Sequence, residues 1–122
     1  MGIGCDVVNI FRIEKLLKKY NQDFINRILS NEEQKRYNNL ADDIKIKSSY
    51  LAKRFAGKEA VSKALGEGIG NISFNEISII NREDGSPYVR ILNEKCSIKN
   101  DQIQISLSDD WQVAIAFVVI SV

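Results

Sequence analysis

Between Ser48 and Gly70 the chain reads SSYLAKRFAGKEAVSKALGEGIG, a stretch whose apolar spacing admits one long helix ending in a glycine-rich turn. Leu51, Ala52, Phe55, Ala56, Ala60 and Ala64 recur three and four residues apart, so they form a stripe that should face a core. A helix of this length organises the rest of a 122-residue chain around itself. Two charges interrupt the stripe. Steps of four from Leu51 and Phe55 land on Glu59 and then Lys63, placing a carboxylate and an ammonium one turn apart on the face that should be apolar. The ordinary account is an i,i+4 helix pair worth about 0.2–0.5 kcal/mol on a solvated face. Buried instead, such groups need partners.

The length fits one domain, residues 1–122, with a core large enough to need neither disulfides nor structural metal. There is no histidine, which excludes histidine triads, histidine metal sites and imidazole acid–base chemistry. Cys5 and Cys96 are too few and too isolated for a disulfide framework or a paired-cysteine metal site, and a reducing cytoplasm suits them. With 17 basic and 16 acidic residues the net charge is +1, so bulk charge does not suggest nucleic acid as a partner. The longest apolar run, Val113 to Ile120, is far short of a membrane span. Asp6 interrupts any basic-then-apolar signal segment at the start.

Read in order, Met1 to Ile10 is a buried strand. Period-two alternation puts Gly4, Asp6 and Val8 on one face and Ile3, Cys5 and Val7 on the other, so a carboxylate projects beside a small residue. Phe11 to Leu29 is amphipathic and helical with a break near Asn21, and its polar face carries Arg12, Lys15, Lys18 and Lys19. Most such charge runs are solvated faces, but this one can also dock an acidic partner. Ser30 with Glu33 is a capping-box spacing that starts a helix to about Leu40, and 41–47 is the connection to the long helix. That helix stops at Gly66, the expected C-terminal cap glycine. Strands follow at Ile72 to Ile80, bent near Asn75 and Glu76, and at Tyr88 to Leu92, opened by Pro87 after the turn Glu83 to Ser86. A polar connection from Asn93 to Asp101 leads to an alternating strand, Ile103 to Ser108. A turn at Asp109 and Asp110 leads to a last strand, Gln112 to Val122. Helices followed by hairpin-connected strands indicate an α+β fold with a mostly antiparallel sheet.

Asp6 and Glu59 are two carboxylates that a compact fold can bring together, and a divalent cation relieves their repulsion. Two carboxylates with the other positions left to water and phosphate is the usual Mg²⁺ arrangement. Lys63 would then hold a phosphate oxygen, and Arg54 and Lys58 others.

GIGCDVVNIFRIEK, RFAGKEAVSKALGEGIG, the DGSPY turn and the closing ISLSDDWQVAIAFVV, in this order over nearly the whole length, resemble the holo-[acyl-carrier-protein] synthases, small 4′-phosphopantetheinyl transferases. The resemblance implies Mg²⁺-dependent transfer of 4′-phosphopantetheine from coenzyme A to a serine of an acyl carrier protein, releasing adenosine 3′,5′-bisphosphate, in lipid and fatty acid biosynthesis. It implies Asp6 and Glu59 as Mg²⁺ ligands, Lys63 near the coenzyme A phosphates, and Arg54, Lys58, Gly66, Gly68 and Pro87 along the coenzyme A cleft. It further implies a homotrimer with sites between subunits, and docking of the acidic carrier protein on Arg12, Lys15 and Lys19. Two candidates stand for the base that deprotonates the serine, a metal-bound water and a carboxylate such as Glu59.

One position departs from the family. Its last motif usually reads Ser-x-Ser-His, and here Asp109 follows Ser108, setting an acid where phosphates are expected. Loss of that histidine favours an alternative of another class, a non-catalytic α+β module that binds an acidic protein through its basic first helix.

Overall fold

The computed structural model describes residues 1–66 and 72–121. Strand β1 (Gly2–Asn9) leads into helices α1 (Ile10–Tyr20), α2 (Gln22–Ile28), α3 (Asn31–Asn38) and the 22-residue α4 (Ile44–Leu65). Strands β2 (Ile77–Asn81), β3 (Pro87–Ile91), β4 (Ile103–Asp110) and β5 (Val113–Ile120) follow. The fold is α+β, with two antiparallel sheets in the orders β1-β5-β4 and β2-β3.

The helix boundaries have local causes. Asn9 caps α1 by accepting the Arg12 amide. Asn21 takes a left-handed φ of 48°, which breaks the first helical stretch into α1 and α2. Ser30 and Glu33 form the expected capping box at the start of α3. The long helix begins earlier than the sequence suggests. Asp43 accepts the amides of Lys45 and Ile46, so 44–47, expected as connection, are its first turn. It ends as expected at Gly66, whose φ of +61° suits glycine.

Helix α4 lies across the inner face of the three-stranded sheet and is buried on more than one side. Leu51, Ala52, Ala56, Ala60 and Val61 are inaccessible, and so is Lys58. The single-stripe expectation is corrected here. Phe55 and Glu59 are only partly buried and Lys63 is exposed, so the two charges do not intrude on a core face. They flank it, within reach of solvent and ligands.

Gly4 makes the closest approach between β1 and α4. A Cβ there would collide with the carbonyl oxygen of Ala60, so only glycine lets the strand press onto the second half of the helix. The alternation expected for β1 holds: Gly4 and Val8 are buried and Asp6 partly so, while Ile3, Cys5 and Val7 face outward.

Two other expectations are adjusted. The bend near Asn75 is a 3₁₀ turn, Phe74–Glu76, ahead of β2. Asp109 and Asp110 continue β4, pairing with Ala114 and Val113, and the turn falls on Trp111 and Gln112. Among the described residues, no helix is long and apolar enough to cross a membrane.

Candidate active site

Close packing of β1 on α4 brings Asp6 to Lys63. The Lys63 ammonium donates to Asp6 Oδ1 at 3.0 Å and to the Cys5 carbonyl at 3.0 Å. The Asp6 hydrogen bond, then its charge, hold the Lys63 pKa above the ordinary lysine value, and the charge of Glu59, one turn back, acts in the same direction. An ammonium influenced by two carboxylates of different elements is a stand-in for a bound cation. The donors are hard oxygens, the type that suits Mg²⁺, so Asp6 and Glu59 fit the ion expected from the sequence.

Arg54 lies nine residues before Lys63, about 13 Å along the helix axis. It is 4% exposed. Its guanidinium sits 4.3 Å from the Tyr50 ring centroid and donates to Asn81 Oδ1 at 3.2 Å, while its Nε has no partner. Arg54 borders two clefts. The larger, of about 1050 Å³, runs between the starts of α1 and α4 and the β4–β5 turn, past Ser49, Lys53, Asp109 and Trp111. The smaller, of about 360 Å³, opens beside Asn81 and Arg82. A buried guanidinium with an unpartnered N–H, opening on a cleft, is poised for an anion. Pro87 opens β3 opposite Asn81, and its carbonyl accepts from Arg82 at 3.2 Å. Gly66 caps α4 beyond Lys63. Gly68 and Gly70 lie outside the described residues.

Lys58 does not play the expected part. Its ammonium is fully buried, paired with Glu33 and donating to the Ile28 carbonyl. Glu33 also accepts the amides of Ser30 (2.8 Å) and Ile79 (2.9 Å), tying α3, α4 and β2 together. Burial pushes the Lys58 pKa down from 10.5 to about 8 against the opposing pull of Glu33. With every donor direction facing protein, this lysine is a structural tie and not a phosphate ligand. The capping box reveals the role of Glu33 at α3, but no short-range signal reveals its pairing with Lys58.

Asp109 is the other surprise. It accepts the Ser49 hydroxyl at 2.9 Å and pairs with Lys53 at 3.2 Å. The acid that follows Ser108 is thus compensated by Lys53, a residue the sequence alone does not single out. An uncompensated acid at that position was the signal that a cation must stand near it.

Arg12, Lys15, Lys18 and Lys19 are all exposed on α1. Lys18 pairs with Glu14 at 3.5 Å. Arg12, Lys15 and Lys19 have no salt-bridge partner among the described residues, although Lys15 and Lys19 sit over the rings of Phe11 and Tyr20.

Acidic groups acting on Lys63 near the end of α4, and a buried guanidinium with an unpartnered N–H nearer its start, are the group types that phosphate-group transfer uses. Residues 2–116 match the family model described as the 4′-phosphopantetheinyl transferase superfamily, and the chain belongs to that family of enzymes. Within it, the chain is 46% identical to a holo-[acyl-carrier-protein] synthase of Orientia tsutsugamushi (strain Ikeda), over 98% of this chain and 95% of the relative. Its fold matches the crystal structure of the Neisseria meningitidis synthase with a TM-score of 0.84 and 37% identity, over 98% and 97% of the two chains. The Helicobacter pylori synthase, solved in complex with coenzyme A, matches with a TM-score of 0.81 and 39% identity, over 98% and 99%. Membership of an enzyme family sets aside the non-catalytic alternative.

Proposed function

We propose that this chain transfers 4′-phosphopantetheine from coenzyme A to a serine hydroxyl of an apo-acyl carrier protein, releasing adenosine 3′,5′-bisphosphate. The observation that carries this reading is the Lys63 ammonium paired with Asp6 and drawn also by the charge of Glu59, one turn back on α4. The serine oxygen bonds to the phosphorus that bears pantetheine, and the bond from that phosphorus to the bridging oxygen of the departing adenosine bisphosphate breaks. Reactions of this kind depend on positioning and charge neutralisation. Asp6 and Glu59 would hold Mg²⁺, which would supply neutralisation of the diphosphate. Lys63, on a flexible and half-exposed stem, binds a non-bridging phosphate oxygen as a point charge. Arg54, preoriented by Tyr50 and Asn81, holds a further phosphate. The serine proton passes to water or to a carboxylate of the cluster.

Arg54 and the carboxylate cluster lie apart in one protomer, which favours a site completed between copies. The outer sheet face supports this. Val7 opposes Ile115 and Cys5 opposes Phe117, and Ile3, Val7, Ile115 and Phe117 are 40–61% exposed. A contiguous apolar patch of this kind marks an interface, and the trimer is the assembly we assign to it. The reading is of a single cytoplasmic domain in fatty acid biosynthesis.

The test is to incubate the protein with apo-carrier protein, coenzyme A and Mg²⁺ and weigh the carrier protein. It should gain one phosphopantetheine, only when Mg²⁺ is present. An unchanged mass overturns the proposal.

The carrier protein docks on α1 through Arg12, Lys15 and Lys19. Reversing charge with Arg12→Glu and Lys15→Glu together should weaken carrier-protein affinity by about tenfold or more, chiefly through a slower association rate, and leave coenzyme A affinity unchanged. Surface plasmon resonance with immobilised carrier protein, alongside coenzyme A titration, checks both halves. The wild-type association rate should also fall as salt rises.

A further inference from the structure

Asp109 stands on the wall of the larger cleft, at the end of β4, and two residues one turn apart on α4 point at it. Ser49 donates its hydroxyl and Lys53 its ammonium, and the Lys53 and Asp109 side chains are each about a third exposed, so the pair faces the cleft. The same cleft is bordered by Arg36, Lys45 and Arg54, with Glu14 the other acid. With Lys53 present, the wall carries a surplus of positive charge. Without it, Asp109 would present uncompensated negative charge in the cleft that Arg54, the group most suited to an incoming anion, also lines.

We propose that Lys53 is an affinity-setting residue of the coenzyme A cleft: paired with Asp109, it cancels an acid that would otherwise repel the co-substrate's phosphates. This rests on the transfer reading above and deepens it. Lys53 acts through Asp109 and need not touch the co-substrate. The local physics separates this role from that of a surface ornament. An exposed ion pair contributes little to folding, whereas a charge beside a bound phosphate acts across a cleft wall of reduced dielectric. Removing Lys53 should therefore change binding far more than stability.

The experiment is a two-by-two set: wild type, Lys53→Met, Asp109→Asn and the double variant, each titrated with coenzyme A by calorimetry at one Mg²⁺ concentration. Lys53→Met should weaken coenzyme A by about tenfold, the effect of one unit charge at close range. Asp109→Asn should tighten it several-fold. The double variant should return to within about threefold of wild type, because the net charge of the wall is then restored. All four should melt together. Unchanged affinity in Lys53→Met overturns the inference. So does a loss that Asp109→Asn fails to restore, which would make Lys53 a direct ligand. If the unsubstituted protein binds no coenzyme A, the transfer reading fails first and this inference with it, an outcome distinct from the other two.

Discussion

Asp6→Ala and Glu59→Ala are each expected to reduce carrier-protein modification by on the order of a thousandfold, equivalent to about 4 kcal/mol of lost transition-state stabilisation. Neither substitution should disturb the fold. Both side chains are only partly buried, and truncation leaves no closed cavity. The Asp6 pair with Lys63 leaves the lysine half-exposed, so its removal should change stability little. Asp6→Ala has a second consequence. It removes the hydrogen bond and the nearest charge that hold the Lys63 pKa up, so that value should fall back toward the ordinary one, a change readable by NMR titration. Activity is to be measured at saturating Mg²⁺ by carrier-protein mass, with circular dichroism confirming the fold. Near-normal transfer by either variant would remove these carboxylates from the metal site.

Much of this arrangement is legible in the sequence because it is local. Period-two alternation places Asp6 on the inner face of β1, the Ser30 and Glu33 spacing starts α3, and the interruption near Asn21 is a left-handed residue. Gly4 is readable as small, but the reason for its smallness, the Ala60 carbonyl against it, is a contact across 56 positions. What escapes is non-local or runs against composition. The segment 44–47 alternates like a strand, yet Asp43 caps it into a helix. Asp109 and Asp110 read as a turn because acids are common there, but cross-strand pairing and the Ser49 and Lys53 contacts keep them in β4. The largest misreading concerns α4. A one-stripe helix would put Glu59 and Lys63 inside and leave Lys58 at the stripe's edge, but a helix covered on several sides has no single stripe. The apolar residues show that α4 is central, and only the tertiary structure shows which of its charges are enclosed.

Lys58→Met is expected to be the most destabilising of these substitutions, by about 3–5 kcal/mol, because it strips the cation from a buried carboxylate. For a chain of this size the melting temperature should fall by roughly 10–20 °C. Packing loss cannot account for such a drop, since methionine fills nearly the same volume as the lysine stem. Adding Glu33→Gln should recover part of it: the amide oxygen can still accept from Ser30 or Ile79, and no unpaired charge is left inside. A pH series gives a second, independent signature. Burial lowers the Lys58 pKa from 10.5 to about 8 in the folded protein. Between these values the unfolded chain binds the additional proton, so stability from this residue should rise as pH climbs from about 8 toward 10.5 and be lost again as pH falls back through 8. Lys58→Met cannot show that rise. Denaturant melts of both proteins from neutral to alkaline pH isolate it as a difference that grows as pH rises, while contributions from unaltered groups cancel. A small stability loss for Lys58→Met, or parallel pH curves for the two proteins, would mean that the ammonium remains hydrated in solution and that the Glu33 tie holds α3, α4 and β2 together without it.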